Sequence, residues 1–132
     1  MARVLHIDAA LSAISAMRQY ESGLNGERQA EHYLTQQGMT IKTRRYRSQD
    51  GEIDLIMEDG ATIVFVEVKA RPTGKKGSGL LSITPDKQRR ITHAATAFLV
   101  EKQWVEKPVR FDVVEISKEG LLHIPNAFMA VY

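Results

Sequence analysis

Between Gly51 and Lys69 the chain reads as two apolar strands joined by a tight turn, and that pairing constrains the fold more than any other stretch. Glu52 to Met57 (E-I-D-L-I-M) is followed by the turn signal Glu58-Asp59-Gly60 and then by Ala61 to Lys69 (A-T-I-V-F-V-E-V-K). Side chains alternate along a strand, so Glu67 and Lys69 share a face with Phe65, while Val64, Val66 and Val68 line the other. A strand apolar on both faces is expected at the centre of a sheet covered on both sides, which leaves Glu67 and Lys69 at least partly buried. Asp54, flanked by Ile53, Leu55 and Ile56, lies on the partner strand, and a suitable register brings it alongside Glu67.

The flanking segments complete an α/β pattern. Helical spacing runs from Ala9 to about Tyr20, Ser22 to Gly26 interrupts it with two glycines, and a second helix is expected from about Asn25 to Gln37, stopped by Gly38. Met39 to Tyr46 is a basic strand. After the hairpin, Arg71 to Gly79 reads as a basic loop, and Thr84, Pro85 and Asp86 open a long helix with an apolar face of Ile91, Ala94, Ala95, Phe98 and Leu99. Val109 to Ile116 and Leu121 to Ile124 are two further strands. The expected order is α-α-β-β-β-α-β-β, a mixed sheet with helices packed on it. At 132 residues the chain suits one domain, taken as residues 23–132 with residues 1–22 as a helical extension.

Composition closes off several classes of function. No cysteine is present, which excludes disulfides, thiolate clusters and a cysteine nucleophile and suits a reducing, cytoplasmic setting. No apolar run approaches the roughly 20 residues that span a bilayer, so no membrane partner is expected. Leu5 to Met17 is a poor secretory signal because Asp8 interrupts it, and a short amphipathic helix is the better reading. The four histidines lack a metal-binding spacing, and G-x-S-x-G is absent. The net charge is only +2, but residues 42–90 hold eleven basic against seven acidic groups. That concentration marks a footprint for a polyanion or, equally, a solvated surface.

Two carboxylates and a lysine in a partly buried place point to a hard divalent cation. Magnesium prefers oxygen ligands, keeps several waters and takes one or two protein carboxylates. Asp54 and Glu67 would hold it, and Lys69 would orient the attacking water or offset charge on phosphorus. A structural ion-pair network of the same three groups fits the spacing equally well. Glu27 adds a third acid: on a helical wheel it falls within about 20° of Leu34 and beside Ala30, so it faces inward. As a first-turn acid it is also favoured by the helix dipole alone.

Taken together, Gly23-x-x-Gly26-Glu27-x-x-Ala30-x-x-Tyr33-Leu34, Gly51-Glu52-Ile53-Asp54-Leu55-Ile56 and Phe65-Val66-Glu67-Val68-Lys69-x-Arg71 resemble the YraN family, small bacterial proteins related to archaeal Holliday-junction resolvases. Lys87-x-x-Arg90-Ile91, Arg110 to Val114 and Ile124 to Phe128 match it too, so the resemblance spans Gly23 to Phe128. It implies a restriction-endonuclease-like core whose D…ExK signature falls on Asp54, Glu67 and Lys69, with Glu27 as the helix carboxylate. It also implies Mg²⁺-dependent (or Mn²⁺-dependent) phosphodiester hydrolysis. Ile53 stands where the wider superfamily often has proline, and Arg45 where the family often has asparagine.

The basic residues extend this reading. Arg44, Arg45 and Arg47 surround Tyr46 with Lys42 and suit phosphate contacts and base stacking; an edge strand protected by charge is the competing account. Arg71, Lys75 and Lys76 suit a flap over a nucleic-acid backbone. Lys87 and Arg90 sit early in their helix, where the dipole disfavours cations unless an anion such as phosphate binds there. The expected activity is an endonuclease on structured or branched DNA, with Glu27, Asp54 and Glu67 surrounding the metal and Lys69 assisting the attacking water. A non-catalytic nucleic-acid-binding protein with the same fold is the alternative. An enzyme cutting a junction needs two active sites, hence a homodimer, although the sequence leaves the oligomeric state open.

Overall fold

The computed structural model describes residues 2–71 and 82–132. The elements are α1 (Ala2–Gln36), β1 (Thr40–Arg47), β2 (Glu52–Asp59), β3 (Thr62–Arg71), α2 (Pro85–Lys102), β4 (Val109–Ser117) and β5 (Gly120–Phe128). The strands form one mixed sheet in the order β1-β2-β3-β4-β5. Every neighbouring pair is antiparallel except β3 and β4, which are parallel and joined through α2. A parallel pair needs such a crossover, since a tight turn cannot reverse the chain twice.

The two helices cover opposite faces. Ile56, Phe65, Phe111 and Val113 pack with Ile91, Ala94, Ala95 and Phe98 of α2. Leu55, Met57, Val64, Val66 and Val114 pack with Ala30 and Leu34 of α1. The stripe on α2 is the one its sequence periodicity predicts, and Thr84 caps that helix, its Oγ1 accepting the Lys87 N–H at 3.1 Å. The architecture is α/β and compatible with a nuclease-like core. No helix among the described residues is long and apolar enough to cross a membrane.

One expectation fails at the N-terminal end: the two helices are a single helix, continuous through Ser22 to Gly26. A glycine costs about 1 kcal/mol relative to alanine inside a helix, which cooperative propagation tolerates. At Gly26 an added Cβ would lie 3.7 Å from both Ala70 Cβ and Ile116 Cδ1, an ordinary van der Waals contact, so α1 runs against the sheet there without requiring a glycine. Gly38, at φ +99°, ends the helix as expected.

Both edges of the sheet are irregular. The β1/β2 register shifts between Ile41 and Thr43, and Arg45 has φ +51°. The β4/β5 register shifts between Phe111 and Val113, and Asn126 also has φ +51°. The second irregularity surrounds Asp112, which is completely buried. Asp112 accepts bonds from Arg110 Nε (3.0 Å) and the Asn126 N–H (2.9 Å), and its Oδ2 lies 2.8 Å from His123 Nε2. Arg110 also reaches Asp59 at 3.0 Å, which ties β4 to the β2–β3 turn.

Candidate active site

The hairpin register decides which charges meet. Leu55 pairs with Val66, so one step further the count sets Asp54 opposite Glu67. At that step the ladder is replaced by a side chain: Asp54 Oδ2 accepts the Val68 N–H at 2.7 Å. The in–out alternation of β2 slips at the same residue. Ile53 and Ile56 both face α2, while Leu55 and Met57 face α1. Asp54 is therefore drawn towards β3 at a local break in the strand, and Glu67 beside it is 8% exposed.

Two lysines converge on Glu67. Lys87 Nζ lies 2.8 Å from Glu67 Oε1, and Lys69 Nζ lies 3.6 Å from the same oxygen. Burial, and next the negative charge of Glu67, pushes the Asp54 carboxyl up to about 7; the Val68 N–H opposes the rise, Glu27 adds to it and Lys87 opposes it. Burial, and then the neighbouring Lys87, lowers Lys69 despite Glu67. Burial works against the charged form of Lys87 as well, yet its bond to Glu67 leaves it raised.

Asp54, Glu67 and Lys87 line a cleft of about 730 Å³ between the β1–β2 turn and α2, with Arg47 and Arg90 on its rim. The turn is pressed against the helix at Gly51, where an added Cβ would stand 2.8 Å from the Arg90 carbonyl oxygen and 3.2 Å from its carbon. Backbone cannot yield as a side-chain tip can. Gly51→Ala is expected to cost about 1–3 kcal/mol, read as a lower urea midpoint at constant m.

Glu27 faces inward as the helical wheel requires, but it does not join Asp54 and Glu67. Its carboxylate is held by Arg45 Nε at 2.8 Å, and the two line a separate cavity of about 120 Å³ that Asp54 also borders. Among the described residues no three acidic or imidazole side chains form a group able to hold a metal on their own. The other basic residues are also engaged: Arg44 with Glu31 at 2.7 Å, Arg47 with Glu52 at 2.9 Å and Arg90 with Asp86 at 2.6 Å. Lys75, Lys76 and the side chain of Arg71 lie outside the described residues.

Sequence reasoning gave Lys87 to phosphate binding and missed its contact with Glu67. The available signal was its first-turn position on the helix that crosses from the Glu67 strand, where a cation calls for a nearby anion. Glu115, fully buried and paired in register with Lys69, was also missed.

With this geometry in view, the comparisons place the chain. The model of uncharacterised protein family UPF0102 matches residues 26–116. A UPF0102 protein of Geobacter metallireducens is 42% identical over 114 residues, covering 83% of this chain and 93% of the relative. One from Yersinia enterocolitica is 42% identical over 116 residues, covering 86% and 99%. One from Desulfosudis oleivorans is 48% identical over 110 residues, covering 82% and 89%. On these grounds the chain belongs to UPF0102, the family whose pattern its sequence resembles under the name YraN.

Proposed function

We propose that the protein is a cytoplasmic, Mg²⁺- or Mn²⁺-dependent endonuclease that hydrolyses phosphodiester bonds in structured or branched DNA. The observation that carries this reading is the meeting of Asp54 and Glu67 with two lysines at the break between β2 and β3, on the wall of an open cleft.

The donor set fits a hard divalent ion. Two carboxylate groups, one raised to about 7 by burial and by the neighbouring Glu67, are the number that Mg²⁺ takes from protein while its other positions go to water and phosphate oxygens. Among the described residues no third acid converges there, which is compatible with that count. Asp54 and Glu67 would hold the ion, and it would supply charge neutralisation at the phosphate and a more acidic bound water. Glu27 acts from beside the pair, adding negative charge through Asp54 while Arg45 holds it. Lys69, 20% exposed, hydrogen-bonds the attacking water or a phosphate oxygen. Arg47 and Arg90 lie where a DNA backbone would pass and would exchange their carboxylate partners for phosphate. Arg44, Arg71, Lys75 and Lys76 are assigned to the same backbone.

A non-catalytic nucleic-acid-binding role is the second reading. It is favoured by Glu67 already carrying Lys87 at 2.8 Å. The test compares wild type with Asp54→Ala on branched, duplex and single-stranded DNA, with Mg²⁺, with Mn²⁺ and with chelator. The nuclease reading expects metal-dependent cleavage by wild type and none by the variant. Two equally inert proteins that still bind DNA would overturn it in favour of the second reading. Absence of any salt-dependent nucleic-acid affinity would overturn both.

A further inference from the structure

The contacts of Lys87 differ from those of an ordinary phosphate-binding lysine. Its ammonium is 2.8 Å from Glu67 Oε1, closer than Lys69 at 3.6 Å, and both lie on one oxygen. Glu67 is the acid that the proposed metal site needs. Lys87 is delivered from another element, the capped first turn of α2, where Thr84 holds its backbone N–H. The acid next to it in that turn, Asp86, is taken by Arg89 at 3.3 Å and Arg90 at 2.6 Å.

Charge counting then matters. Asp54 and Glu67 carry two negative charges when both are ionised, and Lys69 and Lys87 carry two positive ones. A divalent cation added to this set would sit against an ammonium already on its ligand oxygen, and that repulsion is strong in a partly buried place. Lys69 is fixed two residues from Glu67 on the same strand. Lys87 has a four-carbon stem, is 34% exposed and faces the cleft, so it has somewhere to go.

We infer that Lys87 is an exchangeable counter-cation, a positioning residue that occupies Glu67 until a divalent metal displaces it and that then turns into the cleft to hold a phosphate oxygen. This rests on the metal site proposed above. It makes metal and phosphate cooperative ligands: the ion frees the ammonium, and the phosphate gives that ammonium a new partner.

Calorimetric titration of the full chain with Mn²⁺ tests it, using wild type, Lys87→Gln, Lys87→Arg and Glu67→Gln, each checked for cooperative unfolding. Lys87→Gln is expected to bind Mn²⁺ about tenfold more tightly than wild type, the scale of one close charge pair. Lys87→Arg keeps the charge and should return towards the wild-type value. A second titration with inorganic phosphate at saturating Mn²⁺ should show weaker binding to Lys87→Gln than to wild type. Damage to the fold would weaken metal binding, so tightening is a sign that a merely structural lysine does not give. If wild type binds Mn²⁺ through Glu67 but Lys87→Gln binds equally or less well, the exchange fails and the metal site stands. If neither wild type nor Lys87→Gln binds Mn²⁺, the metal site itself fails and takes the exchange with it.

Discussion

Asp112→Ala is expected to destabilise the protein by about 3–5 kcal/mol, the cost of removing one member of a buried charge network. Asp112 has no exposed surface, and its carboxylate receives the Arg110 guanidinium through Nε at 3.0 Å and Nη2 at 3.3 Å, together with the Asn126 N–H at 2.9 Å. His123 Nε2 lies at 2.8 Å. Alanine would leave Arg110 with Asp59 and strand the Asn126 amide at a bend in β5. Urea unfolding should show the midpoint falling at unchanged m; a loss under about 1 kcal/mol would mean that the network does not hold β5 in place. The pH dependence has a definite sign. Burial would raise the Asp112 carboxyl, but the bonds from His123, Arg110 and the Asn126 amide outweigh it and leave it lowered. Its stabilisation is therefore present above an unfolded value of about 4 and is lost as pH falls through the lower folded value.

Asp54→Asn should do the reverse and stabilise the metal-free protein at pH 8, by on the order of 2–4 kcal/mol. The folded carboxyl is raised to about 7, first by burial and then by Glu67. Its contribution is fully present below about pH 4 and is lost as pH rises through about 7, at no more than about 1.4 kcal/mol per pH unit. Asparagine mimics the protonated acid and its carbonyl can still accept the Val68 N–H. The two proteins should thus match near pH 4, diverge between about pH 4 and pH 7 and keep that gap at pH 8, in thermal or urea unfolding with chelator present. Parallel curves would show that Asp54 is not held at a cost. A stabilising change at Asp54 would be what the proposed reaction predicts of a site that trades stability for chemistry.

How far these features could be read beforehand depends on how local their causes are. Glu58-Asp59-Gly60 sets the hairpin because Gly60 takes φ +59° within the turn itself, and Thr84-Pro85 opens α2 through a cap three residues long. The inward angle of Glu27 followed from the helical period. Its partner did not, because Arg45 lies 18 residues away on another element. The same holds for Arg44 with Glu31, 13 residues apart, and for Lys87 with Glu67. Clustered arginines signal positive charge, but the acids that share it are set by tertiary register. Gly23 and Gly26 misled for a related reason: their cost is local, while the helix that runs through them packs Ala30 and Leu34 against the sheet. Asp54 was legible as an acid near Glu67, but not as the point where the strand alternation slips.

The irregular borders of the sheet have a consequence for how copies of this protein meet. An outer strand with a regular backbone can template another chain's strand, and from there fibrils. Here β1 is shifted at Ile41/Thr43 and bent at Arg45, and β5 is kinked at Asn126 and carries Pro125, which has no N–H to offer. Neither border offers a straight ribbon for edge-to-edge growth, so self-association by that route is disfavoured and any symmetric pairing must use helices or loops.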